Sequence, residues 1–221
     1  MRMIAPQARA RYPHGYTVGT YSRARGFTLI EILVTLAIIL IGILGTFGLQ
    51  TKATKVEFES YQRGQALALV RDMEARLTAS RGIIDSFLAA ELSSTNGSVY
   101  VGVGNGGLNG VLDCSVMATL AKTQLCAWGD ALQGAAVTEG GKSVGAMIGA
   151  RGCLVRMEPP QSNALADLYV VVVWQGVVAG SDPPADAVTG QNNCASAVNF
   201  GTGLRRGVSM RVMVPDLKKT L

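Results

Sequence analysis

The sequence has little of the chemistry on which most enzymes depend. Its 221 residues include a single histidine, His14. Because His14 precedes a cleavage point inferred below, the chain that remains after cleavage has no Ser-His or Cys-His nucleophile. No pair of carboxylates stands out as a general acid and base either. We therefore expect a protein that is not an enzyme, and we expect no cofactor.

Acidic residues are absent from the first 26 positions, which hold five arginines: Arg2, Arg9, Arg11, Arg23 and Arg25. The remaining 15 basic residues equal the 15 acidic ones in number, so the chain after Gly26 is formally neutral. The net charge of +5 thus belongs to the N-terminus. Such a flank is typical of the cytoplasmic side of a membrane segment. We expect a membrane partner and no nucleic-acid partner.

Nucleotide-binding loops are also missing. Gly140-Gly141-Lys142-Ser143 resembles the end of a phosphate loop, but that pattern requires a glycine where the chain has Ala136. The glycines between Gly102 and Gly107 lack the strand and helix that surround a dinucleotide fingerprint. Both stretches are predicted to be turns.

A long apolar run extends from Phe27 to Leu49, and Glu31 is its one ionisable residue. As a helix this run is about 34 Å long, at about 1.5 Å per residue. That length exceeds the ~30 Å hydrocarbon core of a bilayer. The run is predicted to be a membrane helix, and a carboxylate inside it requires an explanation because a buried charge is costly there.

The sequence Gly26-Phe27-Thr28-Leu29-Ile30-Glu31, after Arg25, resembles the processing site of type IV prepilins and type II secretion pseudopilins. The resemblance implies that prepilin peptidase cuts between Gly26 and Phe27 and that Phe27 is then N-methylated. Glu31 becomes the fifth residue of the mature chain. It would pair with the N-terminal amine of a neighbouring subunit and set the helix register during assembly.

Other N-terminal segments fit less well. A secretory signal usually has a hydrophobic region of ~7–15 residues and an A-x-A-like site, whereas this run is longer and ends without one. A plain signal anchor has no use for Glu31, and a carboxylate that only reaches the membrane edge is the remaining alternative for this residue. The arginines also resemble a transit peptide, but Glu31 and the intact span argue against it.

After the span, the helix is predicted to continue to about Ser80. Five apolar residues share one face at helical spacing: Val56, Leu67, Val70, Met73 and Leu77. The predicted organisation is a leader at 1–26, a transmembrane and assembly helix at 27–49, an amphipathic helix at 50–82 and an extracytoplasmic globular domain at 83–221.

The globular part is predicted to be α+β. Ile83–Leu92 is a second helix or a continuation of the first, and Ser115–Gln133 is a helix. A short strand is predicted at Val99–Val103, within a loop region that spans Ser93–Gly110. Three stronger strands form an antiparallel meander packed on the long helix: Cys153–Met157, Leu168–Val178 and Gly207–Val214.

Four cysteines follow the span: Cys114, Cys126, Cys153 and Cys194. We expect this part of the chain to lie on the oxidising side of the membrane, where disulfides form. None has the C-x-x-C spacing of a metal or redox site, so no metal is expected. We favour the pairs Cys114–Cys126 and Cys153–Cys194, the second of which would hold the long loop Ala179–Gly203. The first pair requires a turn, because its members would be about 18 Å apart on one helix. Without that turn, another pairing applies.

Further segments resemble the PilV-type minor pilins, which are type IV pilus modification proteins. They are Ala66–Leu77 with Ala79-Ser80-Arg81, Cys126–Leu132, Gly152-Cys153-Leu154, Val173–Gly176 and Arg205-Arg206. The resemblance implies a minor pilin that initiates, assembles and modifies a pilus, anchored in the inner membrane with its domain in the periplasm. Implied partners are prepilin peptidase, other minor and major pilins and the inner-membrane assembly platform. The alternatives are a type II secretion pseudopilin and a signal-anchored extracytoplasmic binding or hydrolytic domain.

Overall fold

The computed structural model describes residues 26–89, 99–103, 114, 119–134, 138–143, 145, 147–157, 164–184 and 193–216. The predicted leader up to residue 25 and most of the predicted loop between Ser93 and Gly110 lie outside these residues. The chain divides into two units, Met1–Gly48 and Leu49–Leu221.

The first helix, α1, runs from Leu29 to Ala79 and confirms the predicted long helix. Every α1 residue before Glu59 is exposed. An 18-residue window near its start has a mean hydropathy of 2.6 and is 0% buried. By length and composition, α1 can therefore cross a membrane.

The second part of α1 packs on the domain through Gln62, Ala66, Val70, Met73 and Leu77. This face corrects the predicted one, because Val56 is 68% exposed and Leu67 is 44% exposed. The spacing from Ala66 to Leu77 keeps four residues on one stripe, and Leu67 is turned about 100° away from Ala66.

Two shorter helices follow. A 3-10 turn at Arg81–Ile83 leads into α2, Ile84–Leu88. Helix α3 spans Leu120–Leu132 and begins later than predicted. Thr119 has an extended backbone and its side chain accepts a hydrogen bond from the Lys122 amide, so it caps α3.

Strands β1 (Val101–Gly102), β4 (Arg151–Arg156), β5 (Ala164–Gln175) and β6 (Arg205–Pro215) form an antiparallel sheet in the order β1-β4-β5-β6. The last three are the predicted meander. Strand β5 begins four residues before its predicted start at Leu168 and ends three before its predicted end at Val178. Strands β2 (Thr138–Glu139) and β3 (Lys142–Ser143) form a separate hairpin that was not predicted.

Both faces of the sheet are covered. Side chains on one face of the sheet, such as those of Leu154, Val170 and Val172, pack with α1, α2 and α3. Side chains on the opposite face, such as those of Val155 and Val171, pack in a cluster with Phe200. A strand buried on both sides reads as a continuous apolar run, which explains the segment Val170–Val173.

The disulfides are Cys114–Cys126 and Cys153–Cys194. Helix α3 begins after Cys114, so the first pair does not span one unbroken helix. The second ties the segment 193–204 to β4. Arg205 reinforces that attachment by donating to the carbonyl oxygens of Cys194 at 2.8 Å and Ala195 at 3.1 Å. Burial of its guanidinium lowers the pKa of Arg205 from its ordinary value.

Candidate functional site at the head of the first helix

The residues that flank the predicted cut have non-helical backbone. Gly26, Phe27 and Thr28 precede the first turn of α1, and all three are exposed. The Phe27 side chain is 79% exposed. A peptidase must bind its substrate in an extended form, so a peptide bond outside the helix is the accessible one.

Thr28 caps the N-terminus of α1. The Glu31 amide donates to Thr28 Oγ1 at 3.3 Å and to the Thr28 carbonyl oxygen at 3.1 Å. The bond to Thr28 Oγ1 satisfies one of the amides that a helix start leaves without an intrahelical partner. This role of Thr28 was not predicted, although the spacing Thr-x-x-Glu is that of a capping box and indicates it.

Glu31 lies in the first turn of α1 and is exposed. A negative charge at this end of a helix is favourable because the free amides there carry partial positive charge. Within the described part of the chain, no lysine or arginine lies within ion-pair distance of the Glu31 carboxylate. The side chain can therefore pair with a cation from another chain.

The stretch that resembles the end of a phosphate loop forms a turn, and most of the stretch between Gly102 and Gly107 lies outside the described residues. Gly140 and Gly141, both with positive φ, form the two-residue turn of the β2–β3 hairpin. Such a turn needs positive φ at both positions, which glycine adopts without strain. Among the described residues no group of His, Cys, Asp and Glu side chains could hold a metal ion.

The structure thus leaves the predicted residues Gly26, Phe27 and Glu31 together at one helix end. A family model described as the prokaryotic N-terminal methylation motif matches residues 21–47. No curated protein and no solved structure matches the chain. The motif suggests a structural protein rather than a catalyst, and the apolar start of α1 is compatible with anchoring in the inner membrane. The motif supports a type IV pilin-like protein, made as a prepilin and processed by prepilin peptidase.

Proposed function

We propose that the protein is a minor pilin of a type IV pilus, of the PilV type. It is cut between Gly26 and Phe27, methylated on the Phe27 amine and built into the fibre or its initiating complex. The observation that carries this proposal is the methylation motif at residues 21–47, which coincides with an exposed, non-helical Gly26–Phe27 bond.

Glu31 has the central role in assembly. Cleavage creates a positive amine on Phe27, and Glu31 lies four residues later in an otherwise apolar helix start. Moved into a fibre core, either charge alone would be costly, whereas a carboxylate and an amine from adjacent subunits neutralise each other. Only a correctly registered neighbour brings the two groups together.

The proposed location follows from the same segment. The arginines before Gly26 stay in the cytoplasm, α1 holds the chain in the inner membrane, and the domain that begins after residue 82 faces the periplasm before assembly. Prepilin peptidase, other minor and major pilins and the assembly platform are the proposed partners.

Mass analysis of the mature N-terminus tests the proposal. We expect a chain that begins with N-methyl-Phe27, and we expect that Gly26→Val leaves the leader attached. Gly82→Val serves as the control, because Gly82 is also exposed with no atom within 4 Å of an added Cβ. An intact Met1 in the wild-type protein would contradict the proposal.

Gene deletion then separates the two machines that use such a start. Loss of surface fibres with normal protein secretion supports a pilus subunit. Normal fibres with lost secretion would identify a type II secretion pseudopilin instead.

A further inference from the structure

The stretch of α1 that first contacts the rest of the unit Leu49–Leu221, residues 59–65, has no buried apolar side chain. We call this stretch the first packed segment. Within it only Gln62 is buried, at 2% exposure, whereas Tyr61 is 61% exposed. The apolar packing of α1 begins at Ala66, which is 0% exposed. Because burial of apolar surface is the main favourable term in folding, the first packed segment lacks the contribution that holds the rest of the packed helix.

Gln62 opposes the packing of this segment. Its Oε1 and Nε2 atoms are both buried, and neither has a hydrogen-bond partner within the described part of the chain. A buried amide of this kind forfeits the hydrogen bonds that it makes with water when it is exposed. Gln62 would therefore gain hydrogen bonds if the first packed segment left the sheet.

Glu59 makes the polar contacts that keep the first packed segment in place. Its Oε1 accepts from the Val178 amide at 3.1 Å and from Arg206 Nη2 at 3.4 Å. Arg206 is itself fixed, because it also donates to the carbonyl oxygens of Val178 at 2.6 Å and Gly203 at 3.0 Å. The side chain of Glu59 is 28% exposed and that of Arg206 is 21% exposed, so water screens the ion pair only in part.

Beyond this segment α1 is held firmly. Ala66 and Val70 are 0% and 1% exposed and belong to the main apolar core. The carbonyl oxygen of Leu69 accepts from Trp128 Nε1 at 2.9 Å, which fixes the helix to α3. An opening that begins at Glu59 should therefore stop at Ala66.

We propose that the first packed segment is a conformational switch. It lies on the sheet while Glu59 binds Arg206 and Val178, and it is released as a unit when those contacts break. Local openings require little free energy where few apolar contacts are lost. Release adds residues 59–65, about 10 Å of helix, to the part of α1 that has no contact with the rest of its unit. The domain can then reorient relative to whatever surrounds the exposed start of α1, and its core stays intact.

The two tryptophans report the release. Trp174 is 3% exposed and lines one cleft together with Glu59 and Arg63, so departure of the first packed segment admits water to it. Trp128 is the internal reference because it contacts the firmly held part of α1. Hydrogen exchange of the two indole N–H groups is measured by NMR on the full chain, labelled with ¹⁵N-tryptophan, in detergent micelles.

Glu59→Gln should speed exchange at Trp174 about tenfold and leave the rate at Trp128 unchanged. The substitution keeps the size of the side chain and removes the charge that strengthens its bond to Arg206, and a tenfold effect is at the lower end for such bonds. Glu57→Gln is the matched control, since Glu57 is an exposed acid two positions earlier on α1. It should change neither rate.

Gln62→Met should have the opposite effect. Methionine has a similar length, carries no amide and adds buried apolar surface, so the packed state gains relative to the released one. Exchange at Trp174 should slow about tenfold, again with no change at Trp128. Combined with Glu59→Gln, the same substitution should return the Trp174 rate to near that of the wild type.

Unchanged exchange at Trp174 in Glu59→Gln would overturn the inference. Equal acceleration at Trp174 and Trp128 would also overturn it, because that result indicates unfolding of the whole domain. So would a Trp174 rate that Gln62→Met does not lower. The inference does not depend on pilus assembly. Mass analysis of the same sample reports processing at Phe27 separately, so the two proposals can fail independently.

Discussion

Gly152 on β4 lies against the indole ring of Trp128 on α3, at a separation that leaves no room for a side chain. A Cβ on Gly152 would overlap with Trp128 Cη2 and would lie 2.8 Å from Leu132 Cδ1. Trp128 is 0% exposed, and its Nε1 donates to the Leu69 carbonyl oxygen of α1 at 2.9 Å. One indole thus joins α1, α3 and the sheet, and a bare backbone at Gly152 makes that possible.

Gly152→Ala should lower the free energy of unfolding by about 1–3 kcal/mol, the usual cost of overpacking a core. Urea denaturation of the full chain in detergent measures the change. Gly64→Ala is the control, because Gly64 lies in α1 with no atom within 4 Å of an added Cβ. That variant should gain about 0.5–1 kcal/mol from helix propensity. Equal stability of Gly152→Ala and wild type would contradict the packing described here.

The two disulfides should differ in their contribution to stability. Cys153–Cys194 closes 41 residues and Cys114–Cys126 closes 12. Loop-closure entropy assigns about 4 kcal/mol to the first and about 3 kcal/mol to the second. Replacing each pair with alanines and comparing denaturation midpoints tests the order. A larger loss for the Cys114–Cys126 pair would show that loop closure does not decide the difference.

The ion pair between Arg211 on β6 and Asp167 on β5 should respond unequally to loss of its two partners. The Asp167 side chain is 1% exposed and that of Arg211 is 39% exposed. Arg211→Met removes a cation from beside a buried carboxylate, whereas Asp167→Asn leaves a cation that water can solvate. We expect the lower denaturation midpoint for Arg211→Met, and the reverse order would contradict this account.

The same pair predicts a weak pH dependence. Hydrogen bonds and the charge of Asp167 raise the pKa of Arg211 above its ordinary value. A raised pKa on a cation means that its stabilisation is complete below the unfolded-state pKa and is lost only as pH rises through the folded-state value. The midpoint difference between wild type and Arg211→Met should therefore be the same at about pH 6 and about pH 9.

Glu31→Ala should be cut after Gly26 but should enter fibres at least tenfold less than wild type. The substitution removes the acid that we propose neutralises the Phe27 amine, and an unpaired charge in apolar surroundings costs about 2.5 kcal/mol or more. The ratio of the protein in sheared fibres to that in membranes is the measurement. Glu57→Ala, an exposed acid later on α1, is the control. Normal incorporation of Glu31→Ala would exclude the proposed pairing.

The sequence predicted the helices and strands whose formation depends on the properties of neighbouring residues. Strand β5 contains Val170–Val173, whose β-branched residues favour a strand, and α1 follows from an uninterrupted helical pattern. The packed face of α1 was harder to predict, because contact begins only at Glu59 and includes the polar Gln62 and the small Ala66. Size and hydrophobicity favoured Val56 and Leu67, but both side chains are largely exposed.

Short motifs and long-range contacts differ in the same way. Gly26, Phe27 and Glu31 lie within six positions of one another, so a motif could identify them. By contrast, the ion pair between Glu59 on α1 and Arg206 on β6 joins residues that are 147 positions apart. No spacing pattern predicts such a contact, because only the antiparallel pairing of β5 with β6 and their packing on α1 create it.

The segment 193–204 is attached to the opposite side of the sheet from the helices, through Cys153–Cys194 and the carbonyl bonds of Arg205. Its exposed positions, Ala197 and Thr202 among them, do not contribute to the core that α1 and α3 share. A fluorophore or short epitope inserted there would leave that core intact. The protein therefore offers a labelling position for following single subunits in living cells without disturbing the buried face of α1.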